Sequence, residues 1–346
     1  MVWSYGSLFD HSRLTIYHRR VMNKPRTLII INKAAVKARR SWPIVFKRLE
    51  ATGTHFDSYE TTQPGDAALR TGAALRAGIT TIAIVGGDGT LSEVAEGFFK
   101  FDNQPESLPS PINRQAALAI LPAGTGDDFA RGLMGHRAPL EQWTQLLISH
   151  CQEKYEQSTR LVDVMYGACD GYASRFICLN ASTMGIGGET ASRVAALGGF
   201  MRSFSGEARF AAAAVGALGA WRERPVRVSI DDSLVIEGGM NLVAVANGLY
   251  AGGGMMLSPT AQVDDGKLDV VTASGFTRAA VIRELPRIHS GGHVRNPKVR
   301  ITKGQKVRVE TLPREDGMLI EADGNVRGRT PVEFRIMPGA LRIVAG

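Results

Sequence analysis

The first part of the chain alternates short apolar runs with amphipathic stretches. "TLIII" (27–31), "TTIAIV" (80–85) and "ALAIL" (117–121) have the composition of strands that are buried on both faces. "GDAALRTGAALRAG" (65–78) has Ala and Leu at helical spacing and ends at Gly78, a suitable residue for the end of a helix. This alternation predicts βαβ crossovers and a parallel, Rossmann-like sheet. It also predicts a helix that ends at Gly53, a strand over 54–60 and a helix over about 91–100.

Beyond about residue 155 the β-type runs follow one another almost directly. Helical patterns interrupt them chiefly over 188–222 and 277–290, and this arrangement predicts a mainly antiparallel β-sandwich. The predicted strands are "RLVDVMY", "RFICLNAS", "VRVSID", "MNLVAVAN", "KLDVVTA", "KVRVET", "VEFRIM" and "LRIVAG". We therefore expect an N-terminal extension (1–25), an α/β domain (26–150) and a β-rich domain (151–346).

The positive charge is concentrated at the N-terminus. Residues 1–50 contain 11 Lys and Arg against 2 acids, so the remaining residues contain 30 against 31. Such a patch suits an anionic membrane surface, nucleotide phosphates or nucleic acid. Nucleic acid is disfavoured, because no basic stretch with interleaved aromatic residues and no zinc-knuckle spacing is present.

Cysteine spacing and apolar run lengths indicate the compartment. The three cysteines show no CxxC spacing and cannot all pair, as is typical of a reducing compartment. The apolar run over 210–221 is shorter than the roughly 20 residues of a membrane span, and "HRR" (18–20) precedes no apolar segment of the kind found in signal peptides. We expect a cytoplasmic protein that contacts membranes peripherally, with Met22 as a candidate start.

"IVGGDGTLSEV" (84–94) is the first stretch with recognisable chemistry. A predicted strand ends in two glycines, Asp88, a further glycine and Thr90, and a helix follows. Glycines let the backbone approach a ligand, and a helix N-terminus offers free N–H groups that favour phosphate. A carboxylate beside phosphates requires a bridging cation, for which Mg²⁺ is the natural candidate.

"LPAGTGDDFARGL" (121–133) repeats this arrangement one strand later. A Gly-Thr turn leads into a helix that opens with Asp127 and Asp128. Because both loops lie at the carboxyl edge of one sheet, they predict a nucleotide-phosphate cleft with Thr90 and Thr125 as hydroxyl donors. The sequence lacks the P-loop motif G-x-x-x-x-G-K-[ST] and a clean dinucleotide-binding motif G-x-G-x-x-G, which disfavours P-loop and dinucleotide-dependent enzymes. It also lacks G-x-S-x-G and H-E-x-x-H, which disfavours the common hydrolases.

In order along the chain, four segments resemble the diacylglycerol kinase catalytic domain family, which includes bacterial soluble lipid kinases and the related sphingosine and ceramide kinases. The similarity runs from about residue 27 to the C-terminus. The segments are GGDGT (86–90), LPAGTGDDFAR (121–131), STMGIGGE (182–189) and NGLYAGGGMMLSPTAQVDDGKLDV (247–270). GGDGT alone also occurs in NAD kinases and phosphofructokinases, so the order of all four carries the resemblance.

The resemblance implies ATP and Mg²⁺ as cofactors and assigns residues to them. Asn32 and Thr61 would lie beside the nucleotide, and Asp88 would organise Mg²⁺. The residues that would hold the ATP phosphates are Gly86, Gly87, Asp88, Gly89, Thr90 and Thr125. A structural Mg²⁺ would bind Asp265 and the backbone carbonyls of Gln262 and Lys267.

The chain departs from the family pattern in three places. The usual N-P-x-S-G after the first strand is replaced by "NKAAVKARR", where Lys33, Lys37, Arg39 and Arg40 can supply charge. Asp127 stands where Asn is usual. In "EADGN" (321–325) the family's D-G-E becomes D-G-N, so neutral Asn325 occupies the position of the general base. We take Asp323, Asn325 and Asp128 as candidate catalytic residues, with Asp323 as a substitute base because residues two apart in a strand share a face.

These observations favour a lipid kinase that transfers the ATP γ-phosphoryl group to a lipid hydroxyl. The acceptor stays open among diacylglycerol, ceramide or a sphingoid base, and a glycerophospholipid, and the oligomeric state stays open, a homodimer included. We expect a lipid partner, contact with an anionic membrane surface and no nucleic acid.

One alternative is a non-catalytic nucleotide- and lipid-binding protein. An NAD kinase is a weaker one, because no G-x-N-x-G-x-L-G-F-L-like segment follows. The stretch over 198–221 is a candidate lipid-facing helix, although a core helix is favoured.

Overall fold

A computed structural model describes residues 26–345 except for 105, 153–157, 197–212, 214–215, 220 and 314–315. The predicted extension (1–25) and most of the candidate lipid-facing stretch (198–221) lie outside the described residues. In the part that is described, no helix has the length and apolarity to span a membrane.

The first half of the chain follows the predicted alternation of strands and helices. Its elements are β1 (Thr27–Ile31), α1 (Val36–Ala51), β2 (Asp57–Glu60), α2 (Asp66–Arg76), β3 (Thr81–Gly86), α3 (Asp88–Glu96), β4 (Phe99–Lys100), β5 (Ser110–Pro111), β6 (Ala117–Pro122), α4 (Asp128–Met134) and α5 (Leu140–Gln152). Strands β2, β1, β3 and β6 are parallel neighbours in this order. All residues of β1 and β3 are buried, as expected for a sheet that is covered on both faces.

The second half is rich in strands. Its elements are β7 (Thr159–Cys169), β8 (Ser174–Cys178), β9 (Ala181–Gly185), α6 (Ile186–Ala196), β10 (Arg224–Ile230), β11 (Leu234–Met240), β12 (Leu242–Ala246), β13 (Tyr250–Ala251), β14 (Met255–Met256), β15 (Leu268–Ala273), α7 (Arg278–His289), β16 (Val299–Gly304), β17 (Lys306–Thr311), β18 (Leu319–Ala322), β19 (Asn325–Arg329) and β20 (Val332–Val344).

Two sheets enclose the core of the second half. One is a six-stranded antiparallel sheet in the order β16-β15-β12-β9-β18-β19. The other contains β11, β10, β17, β20, β7 and β8, which pair antiparallel with their neighbours. Side chains from both sheets form one buried cluster that includes Val228, Val245 and Phe334. The predicted parallel α/β half followed by a mainly antiparallel β half is confirmed.

The structure corrects the prediction at several elements. Helix α3 spans Asp88–Glu96 rather than about 91–100, and β2 spans Asp57–Glu60 rather than 54–60. The run "RFICLNAS" is not one strand, because it divides into β8 and β9, which belong to different sheets. "VEFRIM" and "LRIVAG" form one strand, β20, with an irregularity between Met337 and Leu341. Strands β11 and β16 were not predicted, because most residues of both are exposed or half-buried and their apolar patterns are weak.

Strand β20 connects the two halves. It pairs antiparallel with β7 and β17, and near its end Arg342 and Ile343 lie opposite Ala117 and Leu118 of β6 in a parallel ladder. One ten-stranded sheet therefore runs through both halves. The C-terminal strand joins the sandwich to the parallel strands at the beginning of β6. The boundary near residue 150 stays a prediction.

Candidate active site

The two glycine loops at the carboxyl ends of β3 and β6 are in direct contact. A Cβ built on Gly87 would lie 2.9 Å from Gly124 Cα, and one built on Gly124 would lie 2.5 Å from Gly87 Cα. No side chain fits between backbones at these distances. The predicted juxtaposition of the two loops is thus present, and it requires glycine at both positions.

The predicted nucleotide-contacting residues of β1 and β2 lie beside these loops. Asn32 Nδ2 donates a hydrogen bond to Thr90 Oγ1 over 2.8 Å, and the Thr61 N–H donates to the Ile31 carbonyl. Thr125 is exposed at the tip of the second loop. Asn32, Thr61 and Thr90 therefore lie at the sheet edge, as predicted, and Thr125 is exposed beyond it.

Basic residues hold the second glycine loop through its carbonyl oxygens. Lys37 Nζ donates to the Gly124 carbonyl over 2.8 Å, and Arg137 donates to the carbonyls of Thr125 and Gly126. Lys33 forms an ion pair with Glu60 instead. Of the basic residues that follow the first strand, Lys37 is therefore the one whose side chain binds the second glycine loop.

Asp88 joins the N-termini of the helices that follow the two loops. It begins α3, and its carboxylate accepts hydrogen bonds from the backbone N–H groups of Asp128 (3.1 Å) and Phe129 (3.2 Å) at the start of α4. Burial, together with the charge of Asp128, raises the pKa of Asp88 to about 7. A bound cation would stabilise the ionised carboxylate, as the predicted Mg²⁺ role requires.

Asp127 has a backbone role that accounts for one departure from the family pattern. Its φ of 50° lies in the left-handed region, which Asn and Asp adopt more readily than other non-glycine residues. Its Oδ1 accepts a hydrogen bond from the Gly124 N–H over 2.7 Å. Aspartate therefore holds the second glycine loop in the way that an asparagine side chain can.

Asp128 links this cleft to the second half of the chain. Its Oδ2 accepts a hydrogen bond from the Gly253 N–H over 2.8 Å, in a loop where Gly252, Gly253 and Gly254 all have positive φ. Its Oδ1 is buried and has no hydrogen-bond partner among the described residues. The same loop receives Arg131, whose guanidinium lies 4.2 Å from the Tyr250 ring centroid. Asp128 thus presents a free carboxylate oxygen where the two halves meet.

The β18–β19 hairpin also reaches the first glycine loop. A Cβ built on Gly89 would lie 3.8 Å from Asn325 Nδ2 and 3.9 Å from the Asp323 carbonyl oxygen. Asp323 and Gly324 form the two-residue turn, with φ of 47° and 85°, as the Asp-Gly sequence predicts. Asn325, at the family's base position, therefore lies beside the predicted phosphate loop.

The side chain of Asp323 points into the interior. Its carboxylate accepts hydrogen bonds from the N–H groups of Leu179, Asn180 and Ala181 and from the Cys178 thiol, and the residue is 7% exposed. These contacts hold the junction between β8 and β9. They argue against the predicted role of Asp323 as substitute base. The reasoning from a shared strand face does not apply, because Asp323 is in a turn.

Glu321 is a functional candidate that the sequence reasoning missed. Thr183 Oγ1 donates to Glu321 Oε2 over 2.7 Å, and the Gly324 N–H donates to Oε1. Burial raises the pKa of Glu321 to about 7, against the lowering effect of these hydrogen bonds, with Asp323 and Asp128 also raising it. The available signal was a carboxylate at the third position of a short strand whose other residues are apolar.

The predicted structural Mg²⁺ site does not fit the contacts of Asp265. Lys303 Nζ lies 2.8 Å from Asp265 Oδ2 and 3.2 Å from Asp269 Oδ1, and Asp265 Oδ1 accepts the Lys267 N–H. Gln262 is exposed. Within the described ranges, no group of three or more His, Cys, Asp or Glu residues is placed to hold a metal ion. A lysine ammonium already supplies the positive charge that a cation would bring.

Comparisons with known proteins agree with this geometry. The diacylglycerol kinase catalytic domain matches residues 26–165, and the YegS C-terminal NAD kinase beta sandwich-like domain matches residues 184–345. A probable YegS-like lipid kinase of Pseudomonas aeruginosa is 31% identical over 332 residues, which cover 93% of this chain and 95% of the relative. The chain belongs to the diacylglycerol kinase catalytic domain family.

Other members of this kinase family match over similar lengths. A diacylglycerol kinase of Mycobacterium tuberculosis is 26% identical over 317 residues, which cover 90% of each chain. The solved structure of a putative diacylglycerol kinase from Bacillus anthracis superposes with a TM-score of 0.68 at 20% identity, covering 93% of this chain and 98% of that one. The two-domain fold is therefore shared with a solved member of the family.

Proposed function

We propose that this chain transfers the γ-phosphoryl group of ATP to a hydroxyl of a membrane lipid, with Mg²⁺ as the cation. The observation that carries the proposal is the contact between Gly87 and Gly124, which brings the N-termini of α3 and α4 to one point. The positive dipole ends of the two helices favour phosphate there. Phosphoryl transfer needs mainly such positioning and charge stabilisation.

Asp88 and Asp128 are the carboxylates that fit a Mg²⁺-nucleotide in this cleft. The pKa of Asp88 is raised to about 7 by burial, and Asp128 has an oxygen without a partner in the described structure. A Mg²⁺-bound triphosphate would give both groups a positive neighbour. When bound, Mg²⁺ would neutralise charge that develops on the phosphates.

The acceptor is a lipid that reaches the cleft between the two halves. Relatives named diacylglycerol kinase and YegS-like lipid kinase favour an acceptor that carries a free hydroxyl beside acyl chains. Diacylglycerol, ceramide or a sphingoid base, and a glycerophospholipid all meet this description. We propose that the protein acts in the cytoplasm, at the membrane surface.

The face around α7 provides a surface for an anionic membrane. Residues 278–300 contain six Lys and Arg against one acid. The acid, Glu284, is buried and paired with Arg287, and Ile282 is 54% exposed among the basic side chains. An exposed apolar side chain on a helix that also carries arginines suits a bilayer with acidic headgroups. This surface adds to the basic residues of the N-terminal segment.

A non-catalytic nucleotide- and lipid-binding protein is the second candidate, favoured by Asn325. The two candidates are separated by incubating the chain with ATP, Mg²⁺ and a panel of lipids, and by analysing the lipids by mass spectrometry. A phosphorylated lipid that requires Mg²⁺ and disappears with a chelator supports the kinase and identifies its acceptor. ATP binding without phosphorylation of any lipid in the panel supports the second candidate.

A further inference from the structure

The β18–β19 hairpin carries an amide at the position where a kinase of this family has its base. If the chain is a lipid kinase, as proposed above, another group must accept the proton of the attacking hydroxyl. The candidates on this hairpin are Asp323 and Glu321. Their surroundings differ, and the difference decides between them.

Strand register directs Glu321 away from the sandwich core. Its neighbours Ile320 and Ala322 are fully buried among core side chains, so Glu321 faces the opposite side of β18. The residue paired with it on β19 is Val326, which is 42% exposed. On this side of the hairpin Val326 is exposed, and α6 packs against β18 and β19.

The hydrogen bonds of Glu321 orient its carboxylate and leave it able to accept more. Thr183 Oγ1 binds Oε2 and the Gly324 N–H binds Oε1. An ionised carboxylate has about four acceptor positions, so each oxygen retains one. Asp323, by contrast, accepts four hydrogen bonds and is enclosed.

Glu321 lies close to the predicted phosphate cleft. The turn that donates to its carboxylate also places the Asp323 carbonyl against Gly89, the glycine before Thr90. The Asp128 carboxylate is near enough for its charge to act on Glu321. A hydroxyl that enters between the two halves would meet Glu321 on one side and the phosphate loops on the other.

Asn325 provides the complementary function of a donor. Its Nδ2 is buried beside Gly89 and has no hydrogen-bond partner in the described parts of the chain. An unsatisfied buried donor is costly, and a phosphate oxygen would satisfy it. The amide therefore suits the phosphate, and the acid four residues earlier suits the hydroxyl.

We propose that the Glu321 carboxylate is the general base for the attacking lipid hydroxyl, and that Asn325 donates a hydrogen bond to the transferred phosphate. The lipid oxygen forms a bond to the γ-phosphorus, and the bond from that phosphorus to the β,γ-bridging oxygen breaks. ADP leaves with the electron pair of that bond, and the hydroxyl proton passes to Glu321.

The electrostatic surroundings of Glu321 support this assignment. Burial raises its pKa to about 7, and the Asp323 and Asp128 carboxylates act in the same direction. The other charged groups on the elements around it are Glu189 and Arg193 of α6 and Arg327 and Arg329 of β19. A base with this pKa is ionised above neutral pH, so transfer should slow as the pH falls through about 7.

The test uses the full chain with ATP, Mg²⁺ and the acceptor identified by the lipid panel. Glu321→Gln should lower kcat about 10²–10⁴-fold, the usual contribution of a general base, and should remove the acidic limb of the pH profile near 7. Asn325→Glu should lower the rate of the wild type, because it replaces the donor to the phosphate with an anion, but it should restore part of the rate in the Glu321→Gln background, because it returns a base to the hairpin. Glu237→Gln, at an exposed ion pair on β11, is the matched control.

A Glu321→Gln protein that keeps the wild-type rate and the acidic limb overturns the assignment. Glu321→Asp is the second variant if Glu321→Gln does not fold, and it should keep the acidic limb at a reduced rate. A wild-type pH profile without a limb near 7 also overturns the assignment. If the wild type phosphorylates no lipid, the proposed function itself fails. Binding of an ATP analogue by Glu321→Gln is measured separately and shows that the nucleotide cleft of this variant is intact.

Asp323→Asn separates the proposed base from its structural neighbour. The amide would present N–H groups to backbone donors, so this variant should lose stability in urea unfolding while the folded fraction keeps the pH profile. Loss of the acidic limb in folded Asp323→Asn, with Glu321→Gln unaffected, would assign the base to Asp323 and overturn the proposal.

Discussion

The contact between Gly87 and Gly124 is the residue-scale feature on which the cleft depends. Each glycine occupies space that a single methyl group on the other would fill. Close approach of two backbones is one of the few reasons for which glycine cannot be replaced. The helix N-termini converge only because both positions lack a Cβ.

Gly124→Ala should therefore separate the two loops. A Cβ at 2.5 Å from Gly87 Cα forces a backbone shift, and overpacking of this kind costs about 1–3 kcal/mol. We expect a lower free energy of unfolding and weaker binding of an ATP analogue, measured by urea unfolding and by calorimetry.

Gly132→Ala is the matched control for this change. Gly132 lies in α4, near the same cleft, and a Cβ there would meet nothing within 4 Å. Alanine at this position should leave ATP binding unchanged and stabilise the helix by about 0.5–1 kcal/mol. If both variants behaved alike, the contact between the loops would not matter.

The glycines and Asp88 could be predicted from the sequence because their chemistry is local to one strand, loop and helix. Glu321 could not, because its importance depends on the strand register and on a hydrogen bond from Thr183 of β9. Asp323 was assigned the wrong surroundings for a related reason. Its direction depends on the turn, and its four donors come from a segment more than 140 residues earlier.

Lys303 has an element-scale role, since it joins β16 to the loop before β15. Its ammonium pairs with Asp265 and with Asp269, which is 1% exposed. Ser258 and Thr260 also donate hydroxyl hydrogen bonds to Asp269. The resemblance implied a metal ion at this loop, and the structure places a lysine there.

Lys303→Met should leave a buried carboxylate without its positive partner. Removing one member of a buried ion pair costs about 3–5 kcal/mol, and we expect the lower end because the two hydroxyl groups remain. Mg²⁺ should then raise the melting temperature of Lys303→Met but not of the wild type, measured by calorimetry without nucleotide.

Arg160→Ala is the control, because its pair with Asp264 on the same loop is exposed on both sides and should contribute at most about 1 kcal/mol. Strong stabilisation of the wild type by Mg²⁺ in the absence of nucleotide would instead support the metal site that the sequence suggested.

Helix α7 and the segment after it make a second element-scale prediction. Each basic residue near an anionic surface contributes about 1 kcal/mol of binding. Arg283→Ala combined with Arg295→Ala should therefore weaken binding to phosphatidylserine-containing vesicles at least tenfold, as measured by sedimentation. Both side chains are exposed, so folding should be unaffected.

Arg114→Ala provides the comparison, since Arg114 is exposed just before β6, at the sheet edge opposite the cleft. Its loss should change vesicle binding little. An equal effect of both changes would indicate attraction by overall charge rather than by the α7 face.

At the scale of elements, buried parallel strands were predicted closely and the sandwich strands less well. Continuous apolar runs such as β1 are unambiguous because both faces are buried. The division of "RFICLNAS" was missed because β8 and β9 have the same local composition and differ only in the sheet they join. That choice is made by Asp323 and by partners distant in the sequence.

At the scale of the whole molecule, β20 makes one sheet out of both halves. The alternation of elements predicted the two sheet types, but it contained no sign that the C-terminal strand returns to β6. The return joins the second half to the parallel sheet at the start of β6. The two halves also meet at the carboxyl edge of the parallel strands, where the Gly253 N–H binds Asp128 and Asn325 lies beside Gly89.

Transfer of phosphate is the most direct test of the account as a whole. The full chain is mixed with γ-labelled ATP, Mg²⁺ and vesicles of the acceptor lipid, and the label in the extracted lipid is measured within a single turnover. We predict that label passes from ATP to the lipid, with a lower yield for Gly124→Ala. Bound ATP that never gives label to a lipid, in any vesicle composition, would contradict the account.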